Sequence, residues 1–243
     1  MEGAKVLGEA LDAGAAIEAV FAVEGTNEPV LDRVRNLGVP VHALVTGVME
    51  RITDTVTPQA VLAVASLANH TLGELRAGLL GGGFVVVGAD LRDPGNAGTI
   101  IRSAVAAGAV GVVLCEGSVD ATNPKAVRSS AGALFHVPVV AGADAASVVG
   151  ELRSWGVRSW AAVAHRPKAA FYDRCDLSGP TALVIGNEAH GLSPALESIV
   201  DGVVSIPMAG HAESLNVAMA ATVLCFEAAR QRREPPISPR SLG

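Results

Sequence analysis

Aromatic residues make up only 3% of this 243-residue chain, and no apolar run reaches the length of a membrane span. Apolar stretches such as Phe84–Val87 and Val110–Cys115 are strand-sized, so no membrane partner is expected. Cysteine is scarce too. Cys115, Cys175 and Cys225 are odd in number, far apart and without a C-x-x-C pair, which argues against a disulfide framework or a zinc site. That usage fits a reducing cytoplasm. The N-terminus has no basic segment followed by an apolar core, so no signal peptide is expected. Neither G-x-G-x-x-G nor G-K-[ST] occurs, which disfavours ordinary dinucleotide and nucleoside-triphosphate sites. Positive charge is also short: 18 Lys and Arg stand against 24 Asp and Glu, a net charge of -6. That balance is awkward for any chain that holds nucleic acid through its phosphates. The deficit is concentrated in residues 1–69, where Lys5, Arg33, Arg35 and Arg51 face nine acidic residues. The remainder is close to neutral, so a nucleic-acid site there must rely on a local patch.

What is present is Ala, Val, Leu and Gly: half of the chain is hydrophobic, as suits Val-rich buried strands and Ala-rich helices. The length allows one large domain or two modest ones. Residues 1–69 alternate helix and strand, with a helix at 4–14, strands at 19–23, 41–45 and 60–66, and helices at 28–37 and 48–52. This predicts a small α/β domain. Residues 70–83 form a short helix ending in three glycines, read as a linker and hinge. Residues 84–234 then alternate strand and helix, which predicts a mostly parallel sheet. Strands are expected at 84–88, 110–115, 137–140, 159–164, 182–185 and 203–206. Helices are expected at 97–107, 125–130, 145–155, 194–199 and 215–232. The Pro- and Ser-rich end, 235–243, reads as a disordered tail.

Three separated segments carry polar residues just beyond apolar runs, where ligands bind in open α/β sheets. They are Asp93-Pro94-Gly95-Asn96-Ala97-Gly98-Thr99-Ile100-Ile101-Arg102, then Ile185-Gly186-Asn187-Glu188-Ala189-His190-Gly191-Leu192-Ser193, then Ile206-Pro207-Met208 with Ser214-Leu215-Asn216. Gly95 and Gly98 permit a tight turn into a helix whose free N–H groups favour anions. On the residues alone, Arg102 is a surface arginine pairing with Asp93. Glu188 is a loop carboxylate capping the following helix, and Ser214 is the N-cap of the last helix. The apolar members are core.

In order and wording the three segments resemble the SpoU (TrmH-like) branch of the SPOUT methyltransferases, over roughly residues 84–230. The resemblance implies S-adenosylmethionine as cofactor, no metal, transfer of a methyl group to an RNA ribose 2'-hydroxyl, a trefoil knot in the C-terminal sheet and a homodimer. The catalytic residues it implies are Arg102, Asn96, Glu188, Ser214 and Asn216. Those for the cofactor slot are Leu183, Ile185, Gly186, Asn187, Ile206, Pro207, Met208, Ser214 and Leu215. A guanidinium stays protonated in proteins, so Arg102 is better cast as gripping a phosphate beside the target ribose than as a base. Arg92, Lys125, Arg128, Arg230 and Arg232 are the candidate RNA-binding residues, the last two also suiting a helix C-terminus. The apolar side of the last helix (Val217, Met219, Val223, Leu224, Phe226) suits burial or the homodimer interface, and Cys225 beside it reads as buried rather than reactive. His190 and His211 remain unassigned.

The N-terminal domain resembles the ribosomal-protein-like domain that precedes many such catalytic domains. One departure is that Glu2-Gly3, which usually ends a first strand, follows Met1 directly, so the start is truncated or the strand is missing. The layout implies 23S ribosomal RNA as substrate, with antibiotic resistance as one biological role the resemblance allows. A transfer-RNA ribose 2'-O-methyltransferase and a non-catalytic RNA-binding protein retaining the fold are the alternatives.

Overall fold

The structure is a computed structural model that describes residues 1–53, 55–164 and 169–233. The expected tail, 235–243, lies outside them. In the N-terminal part, the spacing of Val6, Leu7 and Ala10 gives α1 (Ala4–Asp12) one buried face. There follow β1 (Ala16–Val23), α2 (Pro29–Asn36), β2 (Val41–Leu44), the short α3 (Met49–Ile52) and β3 (Val61–Ser66). β1 is central, parallel to β2 and antiparallel to β3. Val20 and Ala22 of β1 and Val61 and Ala63 of β3 pack against Leu7 of α1 and Leu31 and Val34 of α2. The alternate positions, Phe21 and Leu62 among them, face away from that core and stay partly exposed. The edge beyond β3 is not bare, although no first strand was expected there. Gly3 N donates to Val61 O at 2.8 Å and Ala63 N to Met1 O at 2.9 Å, so residues 1–3 run beside β3.

Residues 70–83, read as a short helix and linker, are helical and packed. A tight helical turn at Leu72–Leu75 runs straight into α4 (Arg76–Leu80), and the Thr71 and Glu74 side chains cap it reciprocally. Leu75 and Leu79 are fully buried against the sheet that follows, so the three glycines close a packed turn.

That sheet is the larger one. Its elements are β4 (Phe84–Gly88), α5 (Pro94–Ala106), β5 (Gly111–Leu114), α6 (Pro124–Ser130), β6 (Val139–Ala141), α7 (Ala145–Ser154) and β7 (Arg158–Ala162). They continue with β8 (Ala170–Phe171), β9 (Thr181–Ile185), α8 (Pro194–Ile199), β10 (Gly202–Ser205) and α9 (Val217–Arg233). The two-residue β8 has no signal in the sequence. Seven strands lie in the order β6-β5-β4-β9-β7-β10-β8, every neighbouring pair parallel. β4 and β9 are buried along their whole length because helices cover both faces. Ile100, Ile101 and Ala104 of α5, Val127 of α6 and Leu224 and Cys225 of α9 fill one layer. Val148, Val149 and Leu152 of α7, Leu196 of α8 and the 72–79 leucines fill the other. The two parts are docked: Val6 of α1 is buried in the layer beneath α5, and His136 Nε2 meets Glu9 Oε2 at 2.9 Å. No helix among the described residues is long and apolar enough to cross a membrane.

Candidate active site

Parallel strands place all their C-terminal ends at one edge, and the three polar segments meet there. β9 ends at Ile185, and the chain turns immediately through Gly186 into a tight loop. Asn187 and Gly191 exchange two backbone hydrogen bonds of 2.9 Å across it. The returning backbone passes so close that a Cβ on Gly186 would lie 2.5 Å from the Gly191 carbonyl carbon. A glycine is required there by contact, not by torsion. Asn187 holds the loop in place: its amide oxygen accepts from Ala189 N and His190 N, while Nδ2 donates to Asp90 O at 3.0 Å and Asp90 Oδ2 at 3.1 Å. Asp90, with φ of 59°, is one of two non-glycine residues at positive φ among those described. Sequence reasoning missed it, since nothing in Gly88-Ala89-Asp90 signals that strained turn.

α5 begins at Pro94, three residues earlier than expected, with Asp93 as N-cap accepting from Asn96 N at 2.8 Å. Lys125 Nζ donates to the other Asp93 oxygen at 3.0 Å. These donors, the Asn96 N–H foremost, hold the Asp93 carboxyl below its ordinary value. The expected pairing of Arg102 with Asp93 is therefore not formed. The earlier start puts Arg102 just over two turns into α5, where it is exposed and has no hydrogen bond or ion pair among the described residues. Gly98 serves packing rather than anion binding. A Cβ there would run into Ser129 Oγ and the Ala126 carbonyl, so α6 lies directly against α5.

Glu188 caps no following helix; Ser193 caps α8 instead, accepting from Leu196 N at 3.2 Å. Glu188 reaches back to the start of α5. It accepts from Asn96 Nδ2 at 3.2 Å, Asp93 N at 3.3 Å and Arg92 N at 3.5 Å. Asn96 Oδ1 in turn accepts from Asn216 Nδ2 at 3.1 Å. Asn216, not Ser214, is the N-cap of α9, its Oδ1 accepting from Ala218 N at 2.9 Å and Met219 N at 3.3 Å. One side chain from each segment thus joins a single series, Glu188–Asn96–Asn216.

Beside this series lies a cleft of about 340 Å³ between the ends of β7, β9 and β10 and the start of α9. Of the residues expected there, Ile185, Gly186, Asn187, Ile206, Met208, Ser214 and Leu215 line it, joined by Glu188. Leu183 does not: it faces the layer beneath α5 and is fully buried in core. Pro207 is exposed outside the lining. Val163, Glu213 and Ala220 line the cleft as well and carried no motif, and Leu192 and His190 of the second segment belong to it too. Asn187, Glu188, Ala189 and His190 form a wall shared with an open polar groove that also contains Arg92, Asp93 and Asn96.

The expected RNA-binding cations divide into two groups. Arg92 lies on the groove, paired with Asp90 at 3.0 Å, and Lys125 is close by on Asp93. Arg128, one turn further along α6, is exposed and unpaired among the described residues. Arg230 and Arg232 are at the wrong end of the molecule. α9 has 17 residues, which carries its C-terminus about 25 Å from the cleft. There Arg230 binds Glu227 through two bonds of 2.8 Å. Arg232 donates to the carbonyls of Gly82, Gly83, Gly179 and Ala228 and lies over the Phe84 ring at 4.9 Å. Its role is to fasten α9 to the start of β4.

Cys115, Cys175 and Cys225 are free and buried. Burial pushes the thiols of Cys115 and Cys225 up to about 12, which makes them inert. Among the described residues no three His, Cys, Asp or Glu gather as a metal site requires.

The comparisons agree with this geometry. Residues 83–226 match the SpoU rRNA methylase family and residues 1–63 the MRM3-like substrate binding domain. The chain is 35% identical to the 23S rRNA (guanosine(2553)-2'-O)-methyltransferase RlmP of Bacillus subtilis, covering 93% of this chain and 86% of that protein. It is 34% identical to the 23S rRNA (guanosine-2'-O-)-methyltransferase RlmB of Xanthomonas axonopodis pv. citri, over 89% of each. The crystal structure of the SpoU methyltransferase AviRb from Streptomyces viridochromogenes in complex with AdoMet superposes with a TM-score of 0.84 at 31% identity, over 96% of this chain and 89% of that one. With the cleft, the polar series and the seven-stranded parallel sheet in the same chain, the protein belongs to the SpoU rRNA methylase family.

Proposed function

We propose that this protein is an S-adenosylmethionine-dependent 2'-O-methyltransferase acting on a ribose of 23S ribosomal RNA. The observation that carries the reading is the shared wall at Asn187–His190. It sets an apolar cleft of small-molecule size against a polar groove lined by Glu188 and Asn96, the latter bonded to Asn216. The cleft fits the cofactor. Ile185, Leu192, Ile206, Met208 and Leu215 offer a slot for an adenine, while Glu213, Ser214 and Asn187 supply polar edges. When bound, the cofactor supplies a methyl group activated by its sulfonium.

The chain's own residues do the positioning. The Glu188–Asn96–Asn216 series fixes the starts of α5 and α9 against the β9 loop, so that the groove floor is preorganised. Arg102, exposed and without a partner among the described residues, is the cation for the phosphate beside the target ribose, and Ser214 lies in the cleft wall.

The same reading covers four finer statements. The insertion of β9 between β4 and β7 supports a trefoil knot. Met219 and Phe226 leave apolar surface exposed along α9, which supports a homodimer through that helix. Free, buried cysteines support a cytoplasmic location. Division of the chain at 69 and 84, with 70–83 belonging to the packed catalytic part, belongs to this reading as well.

Calorimetric titration with S-adenosylmethionine tests it, wild type beside Leu215→Arg, followed by mapping of 2'-O-methylation on 23S ribosomal RNA. Saturable binding lost in Leu215→Arg, together with one new methylated ribose, is the expected result. Absence of both in the folded wild type overturns the reading.

A further inference from the structure

The acidic N-terminal part has too few cations to hold RNA by its phosphates, yet it carries an uncovered sheet face. Strand register aligns a row across that face. His42 of β2 pairs with Phe21 of β1, Phe21 with Leu62 of β3, and Leu62 with Glu2 at the edge. Register partners project to the same side, and the neighbouring positions, Val20, Ala22, Val61 and Ala63, are buried on the other. The Phe21 and His42 rings are stacked, with centroids 5.2 Å apart and an interplanar angle of 26°. In a chain with 3% aromatic residues, a stacked ring pair on an open sheet face is conspicuous.

The row does not end at the edge of the sheet. Glu2 and Leu62, with Thr53, form one wall of a crevice of about 110 Å³, and Pro124, Val127 and Arg128 of α6 form the other. α6 is the helix that lies against α5 through Gly98, and its Lys125 is bound to the N-cap of α5. One surface therefore runs from the groove at Asn96, past Lys125 and the exposed Arg128, through the crevice and onto Phe21 and His42.

We propose that this surface carries unpaired nucleotides of the RNA substrate. A base stacks on the Phe21–His42 pair, and a neighbouring phosphate is held by Arg128. The inference rests on the methyltransferase reading. It also answers the charge problem: stacking on an aromatic face needs no cations, so an acidic domain can recognise RNA by that means. A protein ligand is disfavoured by continuity, since the surface leads directly to the groove where the ribose is placed.

The test uses full-length protein, deproteinised 23S ribosomal RNA and labelled S-adenosylmethionine. Phe21→Leu keeps apolar bulk and removes the ring; Phe21→Trp keeps a ring. The expected result is a KM for RNA raised about tenfold in Phe21→Leu, with kcat and cofactor affinity unchanged, and recovery in Phe21→Trp. Binding measured against salt adds an independent reading. Phe21→Leu should weaken binding with the salt slope intact, whereas Arg128→Ala should flatten the slope by about 1. A Phe21→Leu enzyme with wild-type KM, or a Phe21→Trp enzyme as impaired as Phe21→Leu, overturns the platform while wild-type methylation stands. A wild type that methylates no ribosomal RNA removes the functional reading itself, and the platform with it.

Discussion

Asn216 Nδ2 donates to Asn96 Oδ1 at 3.1 Å, tying the first turn of α9 to the first turn of α5 across 120 positions of sequence. Each asparagine has a second task. Asn216 caps its own helix, and Asn96 passes the contact on to Glu188. A side chain committed at both ends cannot swing, so the groove floor is rigid before any substrate arrives.

Loss of the central member should therefore cost turnover more than cofactor affinity. Asn96→Ala removes both links at once, and kcat is expected to fall about 100-fold, with the dissociation constant for S-adenosylmethionine changed less than threefold. Glu188→Gln should fall short of that loss. The amide oxygen can still accept from Asn96 Nδ2 and Asp93 N, but the amide nitrogen would face the Arg92 N–H group. Single-turnover methylation beside calorimetry separates the two effects. Equal losses in binding and turnover in Asn96→Ala would show that the series shapes the cleft, not the groove.

The cap of α5 gives a pH signature. The Asp93 carboxyl is held below its ordinary value of 3.8, first by the Asn96 N–H and then by Lys125. A depressed folded value means the contribution is fully present above the unfolded value, and is lost as pH falls through the folded one. Asp93→Ala should cost about 1 kcal/mol at pH 7. The gap from wild type should stay constant between pH 5 and 8 and narrow below 3.8. Urea midpoints across that range check it, and a gap that widens on acidification would reverse the sign of the argument.

Gly98 opposes two known effects. Alanine is favoured over glycine in a helix interior by about 1 kcal/mol. Its Cβ would overlap Ser129 Oγ and the Ala126 carbonyl, and overpacking typically costs about 1–3 kcal/mol. The obstruction is partly backbone, which yields less than a side-chain tip, so Gly98→Ala should be net destabilising. A thermal midpoint equal to or above wild type would mean that α6 moves away freely.

Legibility in the sequence followed the range of the interactions. Local period and turn chemistry placed β4, α7, α8 and β9 within a residue or so, because a buried strand or an Asp-capped helix is written in adjacent residues. Strand order was not readable, since nothing near Thr181 records that it will lie between Phe84 and Arg158. Caps failed where two candidates stood close together: Ser214 has the better cap chemistry by habit, but the N-cap of α9 is two residues later, at Asn216. The family segments brought Glu188, Asn96 and Asn216 to the same region, while the bonds among them came only with the fold. Leu183 was misplaced because it shares a face with Ile185 but lies mid-strand, and only Ile185, at the strand end, reaches the cleft. The packing of 70–83 was not legible because the leucines before the three glycines have no visible partner in the sequence.

Arg232 shows how a cation is misread when its acceptors are backbone atoms. The sequence offers Arg230, Arg232 and Arg233 as a basic cluster, but the carbonyls of Gly82, Gly83 and Gly179 belong to distant segments and carry no side-chain signal. Burial pulls the Arg232 guanidinium below its ordinary value, opposed by Asp176. Each bond to a charged donor contributes more than a neutral one, so Arg232→Ala should lose about 2–3 kcal/mol of stability. Arg232→Lys should recover little, because a single ammonium cannot address carbonyls on three sides of a planar fork. The decisive measurement pairs urea unfolding with RNA binding against salt. A phosphate-binding arginine would leave stability alone and lower the salt slope by about 1. Arg232→Ala is expected to do the reverse: an earlier unfolding midpoint, with the slope for 23S ribosomal RNA unchanged in the fraction that remains folded.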